Sequence, residues 1–143
     1  MTIAVPRGSL MEASLAGQRV EATLADLEVL VGAARELCRA VSEMGNPSVL
    51  ATGRAASLIV GAAAMSSQGG VRPAVLPSSG GTDRKVVIVE AVAVGKSVIE
   101  GAASQARRSG ADWIGVWVWR AGARMSERRI SADEVVFSSQ SAL

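Results

Sequence analysis

The sequence predicts an α/β fold built on a small parallel sheet, and three observations carry that prediction. From Ser48 onward, strand-like runs alternate with helix-like runs in the order strand, helix, strand, loop, strand, helix, strand. Lys85–Val89 (KVVIV) is apolar at consecutive positions, as in a strand covered on both faces. The runs are separated by breakers: Gly45-Asn46-Pro47, Gly69-Gly70, Pro77 through Asp83, and Ser109-Gly110. A chain of 143 residues, 49% hydrophobic and 20% charged, is long enough for one core and too apolar for disorder. A single domain spanning 1–143, with its core at about 10–137, is expected.

The first element reads as a β-hairpin. Leu10–Leu15 and Arg19–Leu24 flank Ala16-Gly17-Gln18, and the second run alternates polar and apolar residues. The same residues also suit one amphipathic helix, because Ala, Leu and Glu are good helix formers. Asp26–Met44 is a helix with Asp26 as its N-cap. Leu27, Leu30, Val31, Ala34, Leu37, Cys38 and Val41 recur at helical steps along one face. Gly45-Asn46-Pro47 ends it.

Ser48–Ala51 is a short apolar strand, Thr52-Gly53-Arg54 a turn, and Ala55–Ser67 an apolar helix. Val71–Leu76 is a strand, and a breaker-rich loop follows. Lys85–Val89 is the doubly covered strand, Glu90–Gly95 a loop, and Lys96–Arg108 a helix. Asp112–Arg120 and Glu134–Phe137 are the last strands. Ligands in such sheets bind at the carboxyl ends of the strands, which here means Thr52–Ala55, Pro77–Asp83 and Glu90–Ser97.

Composition excludes several chemistries. With no histidine, Ser-His and Cys-His catalysis and His-bearing zinc sites are out; with Cys38 alone, so are an internal disulfide and a Cys-rich metal site. Cys38 reads as a small core residue. No apolar run is long enough to span a membrane, and no signal-peptide pattern opens the chain, so a cytoplasmic protein is expected. A net charge of +2 does not by itself argue for nucleic acid.

The segment richest in chemistry is Val86 through Ser97. A buried strand delivers Glu90, then a glycine-bearing loop leads into a helix start with Lys96 and Ser97. Helix-start amides favour an anion, and a carboxylate at the strand end can accept from sugar hydroxyls. The bland alternative is a β-α turn with Ser97 as N-cap and Glu90 solvated. Gly95-Lys96-Ser97 is not a P-loop, because the glycine required five residues earlier is replaced by Glu90.

Taken together, the order of elements resembles the type I phosphoribosyltransferases, and most closely the orotate phosphoribosyltransferase branch. Ala13 through Leu30 loosely follows that branch's opening pattern, xLxSGxxSxxYxDxxxL. Leu50-Ala51-Thr52-Gly53-Arg54 stands where the family binds pyrophosphate. Val86–Ser97 stands in place of the phosphoribosyl diphosphate motif, and Arg108-Ser109-Gly110-Ala111-Asp112-Trp113-Ile114 matches the helix end and strand that follow it. The resemblance implies a parallel sheet flanked by helices, with an N-terminal β-hairpin, and a homodimer. It implies transfer of phosphoribose from phosphoribosyl diphosphate to a nitrogenous base, with Mg²⁺ present only if that diphosphate is bound. Residue by residue, it gives Glu90 the ribose as the catalytic acid. Val94, Gly95, Lys96 and Ser97 would take the 5′-phosphate, and Thr52, Gly53 and Arg54 the pyrophosphate.

The motif is degenerate. Its second acid is Ala91, its threonines are replaced by Val92, Ala93 and Val94, and the chain has no tyrosine. The expectation is a catalytically impaired member that binds a phosphorylated ribose or nucleotide, or serves as a scaffold or regulator. The alternatives are an active orotate-type enzyme and an RNA-binding or protein-interaction module. For RNA, Arg107, Arg108, Arg120, Arg124, Arg128 and Arg129 would supply the charge. Trp113, Trp117 and Trp119 share a strand face that reads as core or subunit interface, or else as a base-stacking platform.

Overall fold

The computed structural model describes residues 7–74, 84–93, 96–122 and 130–140, with side chains from residue 15 onward. The elements in chain order are α1 (Arg7–Leu24), α2 (Leu27–Glu43), β1 (Ser48–Ala51), α3 (Arg54–Ser66) and β2 (Arg72–Pro73). They continue with β3 (Lys85–Ala93), α4 (Ser97–Arg108), β4 (Trp113–Ala121) and β5 (Glu134–Phe137). The strands form one sheet in the order β2-β1-β3-β4-β5, and every pair is parallel. The expected α/β class and parallel sheet are therefore present.

Each face of the sheet carries its own core. On one side Val87, Val89, Ala91, Trp117 and Trp119 pack with Leu37 and Val41 of α2, Ile59 and Ala63 of α3, and Val20 and Leu24 of α1. On the other, Val86, Ile88, Val116 and Val118 pack with Ile99, Ala103 and Ala106 of α4. The period of two along β3 and β4 sends alternate residues to opposite cores, which explains the continuous apolar run.

The expected N-terminal hairpin is a helix. The alternation Val20, Ala22, Leu24 suggested a strand, but Val20 and Leu24 are buried while Ala22 is exposed, so the working spacing is four residues. Gly17 lies inside α1 as an ordinary helical residue.

α2 begins as expected, with Asp26 Oδ1 accepting from the Glu28 N–H at 2.9 Å. Its buried face is rotated from the expected one. Ala33, Ala34, Leu37, Ala40 and Val41 are inside, whereas Leu27 is 72% exposed and Val31 is also exposed. Cys38 is half-buried, its thiol 3.7 Å from the Ala63 carbonyl. Gly45 and Asn46 both take positive φ (86° and 57°) to end the helix.

Two boundaries differ in ways that matter for function. Among the described residues the expected strand Val71–Leu76 is reduced to Arg72–Pro73, with Pro73 unable to donate to the ladder; Val75 and Leu76 lie outside them. Conversely, β3 does not end at Val89. Glu90 through Ala93, expected as loop, continue the strand because β4 offers partners as far as Ala121.

The tryptophan face is core. Trp117 and Trp119 are fully buried beneath the α2 side, and Trp113 lies against Gly115 with Lys85 Nζ 5.2 Å from its ring centre. Neither a stacking platform nor a subunit interface can use Trp117 and Trp119. The homodimer expectation therefore draws no support from Trp117 and Trp119.

Candidate functional site

The strand order fixes where a ligand would sit. From β1 the chain turns outward to β2, then crosses back to β3 and continues the other way. α3 and α4, which follow β1 and β3, therefore lie on opposite faces. The crevice outside the carboxyl ends of β1 and β3 is the topological switch point, where open α/β sheets bind ligands. Among the described residues its walls are Thr52-Gly53-Arg54 after β1, and Glu90 through Ala93 on β3.

Glu90 is 8% exposed, on the central strand of the sheet. It is not the solvated loop carboxylate of the bland reading. Burial pushes its carboxyl from an ordinary 4.5 up to about 7, while the Thr52 hydroxyl and the Val92 and Ala91 N–H groups pull it back. Glu90 pairs with Val118 and Val92 with Arg120, but Ala91 has no register partner on β4.

Thr52 stands one residue beyond the Ala51↔Val89 pair and so beside Glu90. Its N–H and its hydroxyl both donate to the Val89 carbonyl, at 3.0 and 2.9 Å. The hydroxyl is therefore directed into the sheet, not out toward the turn. Gly53 follows at φ 110°, a backbone conformation suited to glycine, and serves as the N-cap of α3. No side chain caps that helix, and Ser57 Oγ returns to the Gly53 carbonyl at 2.8 Å. The first amides of α3 are thus left without side-chain acceptors beside the exposed Arg54.

The α4 end is less complete. Val94 and Gly95 lie outside the described residues. Lys96, not Ser97, occupies the N-cap position, without a side-chain cap. Its ammonium is 3.5 Å from Glu100 of the same helix, so the cation expected to face a phosphate is drawn to its own helix. Ala91, the position of the missing second acid, is 2% exposed and packs into the core opposite α4.

A groove of about 420 Å³ adjoins the turn on the β2 side, lined by Leu50, Ala51, Ser57, Gly61, Pro73 and Ala74 among others. Nothing in the sequence pattern pointed to it. Of the arginines weighed for RNA, Arg107 donates to the Ser131 carbonyl at 3.1 Å and Arg120 lies over the Trp119 ring at 4.6 Å. Arg124, Arg128 and Arg129 lie outside the described residues. Among the described residues no helix is long and apolar enough to cross a membrane.

No protein-family model matches the chain, and no curated protein matches its sequence. Solved structures do match. A purine phosphoribosyltransferase from Pyrococcus horikoshii Ot3 superposes with a TM-score of 0.57 at 16% identity, over 78% of this chain and 84% of that one. The likeness is one of fold. It places this chain on the phosphoribosyltransferase-like architecture that the order of elements resembled.

Proposed function

We propose that this protein binds a phosphorylated ribose, of the phosphoribosyl diphosphate or nucleotide type, in the crevice between the ends of β1 and β3, and that it transfers phosphoribose poorly or not at all. One observation carries the reading. A buried carboxyl, Glu90, and a glycine-capped helix start, Gly53-Arg54, meet at the switch point of a phosphoribosyltransferase-like sheet. The carboxylate suits ribose hydroxyls, and the α3 amides with Arg54 suit a phosphate or diphosphate.

Weak catalysis follows from what the crevice lacks. Transfer through a cationic ribosyl transition state depends on positioning and on charge placed where it develops. Here one acid serves where the family pattern has two, because Ala91 faces the opposite core. Lys96 pairs with Glu100 at 3.5 Å on the surface of α4, partly offsetting the charge it would bring to a phosphate. Among the described residues no three carboxylate, histidine or cysteine side chains converge as a metal site. Any Mg²⁺ would enter on the diphosphate oxygens, the usual habit of that ion.

Titration calorimetry with Mg²⁺ and phosphoribosyl diphosphate, run on wild type and Glu90→Ala together, tests the reading. Saturable binding that Glu90→Ala weakens supports it. Absence of heat at millimolar ligand rejects it, and sends the search to macromolecular partners.

A further inference from the structure

The Thr52 hydroxyl has one proton and two acceptors within reach. At present it donates to the Val89 carbonyl at 2.9 Å, and the Glu90 carboxyl lies beside it. The Val89 carbonyl does not depend on that proton, because the Thr52 N–H also reaches it at 3.0 Å. The Ala91 and Val92 amides also turn to the Glu90 carboxyl. One residue, Gly53, separates Thr52 from the first turn of α3.

From this arrangement we infer that Glu90 and Thr52 form a proton-linked latch: protonated Glu90 leaves the Thr52 hydroxyl on Val89, ionised Glu90 draws that hydroxyl to itself, and the exchange is read out at the start of α3. The proton leaves to solvent and returns from it, and no bond to carbon is made or broken. Around neutral pH both states are within reach, since burial raises the carboxyl to about 7.

At the Glu90 end of the elements packed around it, the charged groups are Arg54 at the head of α3, Lys96 at the N-cap of α4 with Glu100 in its first turn, and Arg120 on β4; Lys85 starts β3, and Arg107 and Arg108 close α4, each at the far end. Lys96 and Glu100 pair with each other, and Arg120 lies over Trp119. Desolvation is the leading cause of the shift and no neighbouring charge contributes to it. The latch therefore answers to whatever hydrates or dehydrates the crevice. A ligand whose hydroxyls or bound cation contact the carboxylate favours the ionised form, so binding releases a proton. This consequence rests on the ligand class proposed above; the latch does not.

The test has two arms on the full chain. Without ligand, the Glu90 carboxyl ¹³C signal and the backbone amides of Gly53, Arg54 and Ala55 are followed from pH 5 to pH 9. The latch predicts one shared midpoint near 7, amides that stop following it in Thr52→Val, and recovery in Thr52→Ser. Glu90→Gln should abolish the titration. A Glu90 midpoint in the ordinary carboxylate range, or amides indifferent to it, overturns the latch. In the second arm, Mg²⁺ with phosphoribosyl diphosphate is titrated at pH 6.5 in two buffers of different ionisation enthalpy. Affinity rising up to tenfold per pH unit below the midpoint, with proton release, supports the coupling; binding without proton release overturns it. A shared midpoint with no ligand binding supports the latch and rejects the ligand reading, so the two failures are distinguishable.

Discussion

Thr52 and Glu90 are neighbours across the switch point of the sheet. One lies just past the end of β1 and the other is buried on β3, and the Thr52 hydroxyl is directed inward between the Glu90 carboxyl and the Val89 carbonyl at 2.9 Å. The Thr52 hydroxyl of the turn expected at pyrophosphate thus lies beside Glu90, the residue expected at ribose. Gly53 and Arg54 are left to present the turn.

The pH dependence of stability follows from Glu90. Its folded pKa lies above the unfolded value, so between about 4.5 and about 7 the native state holds more protons than the unfolded one. Stability must therefore fall as pH rises through that window, by up to about 3 kcal/mol, and level off above it. Urea unfolding at pH 5, 6, 7 and 8 should show this fall in wild type. Glu90→Gln should lack it, matching wild type at pH 5 and exceeding it at pH 8.

Ala91→Asp restores the second acid of the family pattern on paper only. Ala91 is buried on the face opposite α4, among apolar side chains. A carboxylate there should cost about 3 kcal/mol or more by desolvation and crowding. Equilibrium denaturation is expected to show that loss, and the variant should gain no transfer activity.

Glycine substitutions should separate by backbone angle. Gly53 has φ 110°, and a methyl group added there would meet open space, so Gly53→Ala is penalised by conformation alone, by about 1–3 kcal/mol. Gly61 sits in α3 with equal space and no positive φ. Gly61→Ala should stabilise by about 0.5–1 kcal/mol. Thermal melts of the two variants should move in opposite directions.

Gly115 is constrained by its neighbours. A Cβ there would lie 2.7 Å from the Trp113 ring and 3.2 Å from Met44 Sδ. Gly115→Ala should displace the Trp113 indole and destabilise by about 1–3 kcal/mol. Any red shift in tryptophan emission should come from the displaced Trp113, since Trp117 and Trp119 stay buried.

The parallel sheet, the α2 N-cap and the two walls of the crevice were legible because each leaves a local mark. Val86 through Val89 is apolar at every position, Asp26 precedes a helical stripe, and Gly53 interrupts a strand-helix junction. The misreadings arose where local patterns are ambiguous. Arg19–Leu24 alternates like a strand, yet Val20 and Leu24 are four apart and a helix buries that pair equally well. Glu90 looked like a strand end because a charge follows four apolar residues. Only β4, more than twenty residues later, determines that the strand goes on. The inward turn of Thr52 and the pairing of Lys96 with Glu100 depend on tertiary register and helix position, which composition does not encode.

Amide chemical-shift mapping with Mg²⁺ and phosphoribosyl diphosphate decides whether the crevice holds the ligand, because it locates the ligand as well as detecting it. Saturable shifts concentrated at Thr52 through Ala56 and Glu90 through Ala93, absent in Glu90→Ala, are the predicted result. Shifts centred elsewhere, or none at millimolar ligand, would contradict the assignment of the crevice.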